Sequence, residues 1–198
     1  MKAVLFDLFG TLVHVKDPTH PYRRLVGQSH DPVARNAVMT SSMPTPRLAK
    51  AMGVALSPQE LADFEAEVEA EVARIEVYPD VVETLQALRA KGVLVFVSSN
   101  LAKPYAAARV HLDGLVDYWN FSFDTGLLKP DPAMFLAPAS AYGVAASECL
   151  VVGDSKASDG KGAEAAGMPF ILVDRARSNP DERAARTVRA AVTRAGLV

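Results

Sequence analysis

The sequence predicts an α/β fold: a Rossmann-like parallel sheet flanked by helices, with a small all-helical segment inserted after the first strand. Two observations carry that expectation. Short apolar runs recur at 4–6, 93–97, 149–152 and 170–173, each followed by a loop and then a helical pattern. Such continuous runs suit strands buried on both faces, and their alternation with helices builds a parallel sheet through right-handed crossovers. Residues 15–78, by contrast, contain no strand-like run. The expected organisation is a discontinuous core, residues 1–14 and 79–198, with a helical cap at 15–78.

In chain order, the first strand at 4–6 ends on Asp7 and runs into Leu8-Phe9-Gly10-Thr11-Leu12. Helices are expected next over 30–42, 47–52 and 58–75; the last carries Leu61, Phe64, Val68 and Val72 on one face, with Ser57 as its cap. A helix over 79–90 places Val81, Val82, Leu85 and Leu88 at helical spacing and stops at Lys91-Gly92, a basic last turn followed by a glycine. Further helices are expected over 103–111, 132–142, 158–166 and 181–195, with Pro138 kinking or breaking the second of these. Residues 120–123 are a weaker strand candidate.

Composition narrows the function classes. The 198 residues are 49% hydrophobic and 22% charged, as in ordinary globular proteins, and suffice for a sizeable core. A net charge of −2, with no stripe of Lys and Arg, offers no footprint for a nucleic acid. The lone Cys149 excludes an internal disulfide and a multi-cysteine metal site, and its place at the head of an apolar run reads as a buried structural thiol. Asp7 interrupts the apolar N-terminal run and no small-residue cleavage site comes after it, so a signal peptide is not expected. No apolar stretch approaches the ~20 residues that span a bilayer. The expectation is a cytoplasmic protein acting on a small molecule, as a monomer or homodimer.

In an open parallel sheet, ligands bind beyond the carboxyl ends of the strands. The residues just past the strand ends are Asp7 with Gly10 and Thr11; Ser98, Ser99 and Asn100; Lys129 in a Leu-Lys-Pro loop; and Gly153-Asp154-Ser155 with Asp159 beyond. Each has an ordinary explanation. Serine and asparagine cap helices and form turns, a loop lysine is usually solvated, and an aspartate at a helix start is favoured by the helix dipole. Those explanations leave the coincidence unaccounted for. Carboxylates about 4 Å apart repel by roughly 4 kcal/mol at an effective dielectric near 20. A hard divalent cation together with Lys129 would relieve that repulsion, and Mg2+ suits a site of one or two carboxylates, a backbone carbonyl and phosphate oxygens.

The segments Phe6-Asp7-Leu8-Phe9-Gly10-Thr11-Leu12, Val97-Ser98-Ser99-Asn100, Leu128-Lys129-Pro130-Asp131 and Val152-Gly153-Asp154-Ser155 to Asp159 resemble, in this order, the four motifs of the haloacid dehalogenase superfamily. Tyr78-Pro79-Asp80-Val81-Val82-Glu83-Thr84-Leu85 is similar to the segment where such chains re-enter the core from a cap of C1 type. The resemblance implies that Asp7 is a nucleophile forming an aspartyl intermediate, and that Asp154 shares the magnesium with Asp7 and the backbone carbonyl of Phe9, supported by Asp159. It further implies that Ser99, Thr11 and Lys129 hold the transferring group, assisted by backbone donors near Gly10 and Asn100.

One position departs from the phosphatase pattern of this family, which usually places a second aspartate two residues after the nucleophile, as proton donor and then base. Here it is Phe9. The family's dehalogenases carry a tyrosine there and use no metal, but lack the aspartate of the Gly-Asp pair, which this chain keeps as Asp154. The expectation is therefore a magnesium-dependent phosphatase for a small phosphorylated metabolite. The alternatives are a 2-haloacid dehalogenase and a weakened member that binds a phosphorylated ligand or a protein. Of the histidines His14, His20, His30 and His111, none shows metal-ligand spacing; His14 and His20, near the expected hinge, are candidates for a substitute acid or base.

Overall fold

The computed structural model describes residues 1–28, 32–176 and 184–198. The chain enters through β1 (Ala3–Phe6), turns into the short β2 (Val13–Val15), and passes through α1 (Pro21–Gln28), α2 (Pro32–Thr40), α3 (Thr45–Ala51) and α4 (Pro58–Val72). It returns along β3 (Ile75–Val77) and continues as α5 (Val81–Ala90), β4 (Leu94–Ser99), a 3-10 segment (Lys103–Leu112) and β5 (Tyr118–Phe121). Next come α6 (Ser122–Thr125), α7 (Ala133–Ala141), β6 (Cys149–Gly153), a π-helical turn (Lys156–Gly160), α8 (Lys161–Ala166), β7 (Phe170–Leu172) and α9 (Val188–Arg194).

Five strands form one sheet in the order β5-β4-β1-β6-β7, every neighbouring pair parallel. β1 is central, with Phe6 level with Val97 on one side and Val152 on the other. Strand alternation sends Val4, Phe6, Val95, Val97, Leu150 and Val152 to one face, where they pack with residues of α5 and α9. Ala3, Leu5, Phe96, Cys149 and Val151 face the other way, onto α7 and α8. Both faces are buried, which is why these strands are apolar without interruption. Burial pushes the Cys149 thiol up to about 12, as expected of a structural cysteine.

α1 to α4 carry a separate apolar cluster, centred on Leu25, Val38, Leu48 and Met52, to which the core contributes Ala102. The insertion joins the core through the antiparallel ribbon β2–β3, in which Val13 pairs with Val77 and Val15 with Ile75. The sequence pattern predicts neither strand, and the helix expected to run to residue 75 stops at Val72. The Ser57 cap is present as a full capping box with Glu60. α1 is likewise absent from the sequence expectation. Of the helix expected over 30–42, His30 lies outside the described residues and α2 covers Pro32–Thr40.

Other boundaries differ for local reasons. The 93–97 strand runs on to Ser99, and the 120–123 candidate is displaced to Tyr118–Phe121, because β5 pairs in register with β4 and α6 starts at Ser122. Residues 103–112 form a 3-10 rather than an α-helix. The helix expected over 181–195 begins only at Val188: Ala185 bonds to the sheet through Leu172 and Asp174, and Thr187 caps the helix. Its expected first residues, 181–183, lie outside the described ones. Pro138 does not break α7. The carbonyl it leaves without a helical donor, that of Met134, accepts from Ser98 Oγ at 2.8 Å and Asn120 Nδ2 at 2.9 Å, so β4 and β5 supply the missing bond. Among the described residues, no helix is long and apolar enough to cross a membrane.

α8 lies close enough to α7 that a Cβ at Gly162 would stand 2.1 Å from the buried ring of Phe135. Gly162→Ala should therefore destabilise the protein by about 1 kcal/mol, overpacking of about 1–3 kcal/mol outweighing the gain in helix propensity of just under about 1. A lower urea midpoint would show this; an unchanged or higher midpoint would mean the ring swings aside freely.

Candidate active site

The three central strands end side by side, which puts Asp7, Ser99 and Asp154 on one edge of the sheet. Asp7 continues β1 by donating its N–H to Val152 O at 2.9 Å. A tight turn comes next: the amides of Leu12 and Val13 both return to Leu8 O, and Gly10, at φ +86°, donates to Val13 O. The left-handed conformation at Gly10 suits glycine, and a Cβ there would stand 2.1 Å from Asp154 Oδ2. The turn brings Thr11 back so that its hydroxyl donates to Asp7 Oδ2 at 3.2 Å.

Lys129 reaches this acid from far along the chain. Its Nζ donates to Asp7 Oδ1 at 2.6 Å, Asp159 Oδ1 at 2.7 Å and Ser98 O at 3.0 Å. The Asn100 side chain fixes the lysine backbone from two sides, accepting from Lys129 N at 2.8 Å and donating to Lys129 O at 3.0 Å. Asp159 sits in the π-helical turn, which places it under Gly153, and its Oδ2 accepts from Ser155 N at 3.0 Å. A Cβ at Gly153 would stand 2.4 Å from that oxygen. Asp7, Lys129 and Asp159 are 7%, 6% and 1% exposed.

Asp7, Asp154 and Asp159 each bring a carboxylate oxygen within 4.8 Å of the others. The Lys129 ammonium bonds to two of the three, Asp7 and Asp159. Burial works against the Lys129 charge, but Asp7 and Asp159 outweigh it and hold that pKa above its ordinary value. Asp7 is raised by burial and by Asp159, against the pull of Lys129. Asp154, open to the cleft, is pushed up to about 7, first by desolvation and then by Asp7 and Asp159. A site this rich in carboxylates, with strain expressed in their titration, has the donor set of a hard divalent cation.

Ser99 is buried at the end of β4; Ser98 faces the other way, onto Met134 O. Phe9, Gly10, Asn100 and Asp154 line a cleft of about 600 Å³ between the sheet edge and the helical insertion. His14 and His20 also line it. His14 stacks on Tyr78 at 4.6 Å, with Nδ1 buried and unpartnered.

Two groups of supporting residues are not foreseen by the sequence. Arg175 donates from Nε and Nη2 to Thr11 O and from Nη1 to Asp80 Oδ1, and lies 3.8 Å over the Tyr78 ring. It ties the turn after Asp7 to the segment that re-enters the core. On the opposite wall Glu71, only 2% exposed, accepts from Thr19 N and Oγ1, His20 N and Tyr105 Oη. Burial opposes its charge, but these donors hold it below the usual carboxylate range. Tyr105 packs edge-on against Phe9, with ring centroids 5.8 Å apart. A glutamate among other glutamates on a helix carries no local sign of burial, and Arg175 stands after a strand like any loop arginine.

An acid-tipped central strand, a buried lysine and an acidic loop at the carboxyl edge of a parallel sheet define an enzyme of the α/β hydrolytic class. The model of the haloacid dehalogenase-like hydrolase family matches residues 1–167, and the chain belongs to that family. It is 33% identical to a phosphoglycolate phosphatase of Rhodospirillum rubrum over 198 aligned residues, 87% of this chain and 79% of the relative. It is 36% identical to a ribulose-1,5-bisphosphate 5-phosphatase of Halopiger xanaduensis over 99 residues, 48% of this chain and 41% of that one, so it spans under half the length of that relative. The fold matches the crystal structure of a haloacid dehalogenase (HAD) phosphatase from Thermococcus onnurineus with a TM-score of 0.69 and 24% identity, covering 99% of this chain and 98% of the other.

The charge balance sets a pH dependence for the metal-free protein. Asp154 rises from 3.8 to about 7 on folding. Its contribution to stability is complete below about pH 4 and is lost as pH rises through about 7. Asp154→Asn should therefore raise the melting temperature at about pH 8, by about 2–4 °C if solvent screening leaves about 1 kcal/mol, and leave it unchanged at about pH 4. Melting in EDTA at both pH values measures this; equal shifts at the two would contradict it.

Proposed function

We propose that the chain is a magnesium-dependent phosphatase that hydrolyses a small phosphorylated metabolite through an aspartyl phosphate on Asp7. The observation that carries the reading is the convergence of Asp7, Asp154 and Asp159 beside the buried ammonium of Lys129. Asp7, Asp154, Asp159 and the Phe9 carbonyl would hold Mg2+, which supplies neutralisation of phosphate charge when bound.

This chain's own groups do the rest. Asp7, ionised and held by Thr11 and Lys129, attacks phosphorus. Lys129 and Thr11, with Ser99 and the backbone near Gly10 and Asn100, steady the transferring group and its growing charge. The helical insertion serves as the cap, closing the cleft against water and shaping specificity. A cytoplasmic setting belongs to the same reading, supported by the buried, unpaired Cys149.

Phe9 favours a second reading, the 2-haloacid dehalogenase, whose halide leaving group needs no proton. Asp154 weighs against it, since its carboxylate faces Asp7 where the acid group of such a substrate would come.

With 4-nitrophenyl phosphate, Mg2+ should give turnover, EDTA should abolish it, and Asp7→Asn should lower it by on the order of 10³-fold or more. Activity indifferent to both the chelator and the substitution would overturn the reading. Halide release from 2-chloropropionate without metal would replace it with the dehalogenase.

A further inference from the structure

Beyond the cluster of acids, the cleft is built for something other than a small anion. Its volume of about 600 Å³ is that of a drug-sized ligand and far exceeds a two-carbon group. Phe9, Tyr22, Val26, Val38, Met39 and Leu101 give it predominantly apolar walls. The buried charge on those walls is negative: four hydrogen bonds favour the Glu71 carboxylate, so an acid group carried by the leaving group away from the bond to phosphorus, as in phosphoglycolate, would meet repulsion there. Arg23, the guanidinium among the lining residues, is exposed.

Asp154 and Asp159 are given to the metal in the phosphatase reading, which leaves no further acid beside Asp7 among the described residues. Two residues after it stands the Phe9 ring, packed on Tyr105. Glu71 and the Tyr105 hydroxyl are spent on each other. His14 is stacked on Tyr78, its Nδ1 shut away from solvent and its Nε2 3.7 Å from Glu76 Oε2, so whether it or His20 donates is decided by the variants below. Acid assistance contributes typically ~10²–10⁴ in rate, and a leaving group that departs as a stable anion does not need it.

Resting on the phosphatase reading above, we infer that the substrate is a phosphate ester or acyl phosphate whose leaving group is apolar and acidic enough to depart unprotonated, an aryloxide or a carboxylate. Asp7 Oδ forms the bond to phosphorus while the bond from phosphorus to the leaving oxygen breaks, and that oxygen keeps the electron pair and leaves as the anion. Water then bonds to phosphorus, the bond from phosphorus to Asp7 breaks, the carboxylate is regenerated, and the water's proton leaves with hydrogen phosphate or to solvent.

The test is kcat/KM in Mg2+ for a series of para-substituted phenyl phosphates, 1-naphthyl phosphate, acetyl phosphate and phosphoglycolate. This quantity reports phosphoryl transfer to Asp7 even if the second step limits turnover. We expect it to fall steeply as the leaving group becomes more basic, with 1-naphthyl phosphate exceeding phosphoglycolate by about 10²-fold or more. Phe9→Asp should flatten the series by raising phosphoglycolate most, whereas Phe9→Leu should leave it steep. Met39→Asp should lower the naphthyl-to-acetyl ratio by about tenfold.

A wild-type series that is flat, or phosphoglycolate as good as the naphthyl ester, overturns the inference while leaving the phosphatase intact. So does a series that becomes steeper in His14→Ala or His20→Ala, because a donor is then already present. Failure of every phosphate ester, acetyl phosphate included, removes the phosphatase and the inference together.

Discussion

One ammonium group facing three carboxylates is the constraint on which this site depends. Lys129 Nζ is shared between Asp7 and Asp159, both buried, and cannot also neutralise Asp154. Removing one partner from a buried pair of this kind typically costs about 3–5 kcal/mol. The lysine is correspondingly well secured, its ammonium by Ser98 O and its backbone by both ends of the Asn100 amide. The charge that the lysine leaves unbalanced is expressed at Asp154, the member of the trio open to the cleft.

The sheet is what brings residues so distant in sequence together. β1 lies between β4 and β6 in matched register, so the residues just beyond Phe6, Val97 and Val152 are gathered at one edge. Long-range placement of this sort is legible, because buried parallel strands are apolar throughout and the polar residue that ends each one is conspicuous. Asp7 and Asp154 can be read in that way. Asp159 can be located along the chain, but not its bond to Lys129, which needs the π-helical turn to bring it under Gly153.

The features that escape sequence reasoning share a physical trait: the stabilising partner is remote and leaves no local pattern. β2 and β3 do alternate apolar and polar residues, as Val13-His14-Val15 and Ile75-Glu76-Val77, but three residues are too few to separate a ribbon from a helix end. The buried carboxylate of Glu71 is satisfied by the 19–20 backbone and by Tyr105, more than thirty positions away. Pro138 reads as a helix breaker because its remedy, Ser98 and Asn120, comes from two strands. Tertiary satisfaction of backbone groups overrides the local rule.

Gly10 and Gly153 show that this edge is specified by vacancy as much as by charge. A methyl group added at either glycine would stand too close to an aspartate oxygen, 2.1 Å from Asp154 Oδ2 at Gly10 and 2.4 Å from Asp159 Oδ2 at Gly153. A chain with alanine at both places would keep every acid, every strand and the same formal charge, yet its carboxylates would have to stand elsewhere. The acids alone therefore do not specify the site; the pair of positions where nothing protrudes does so with them.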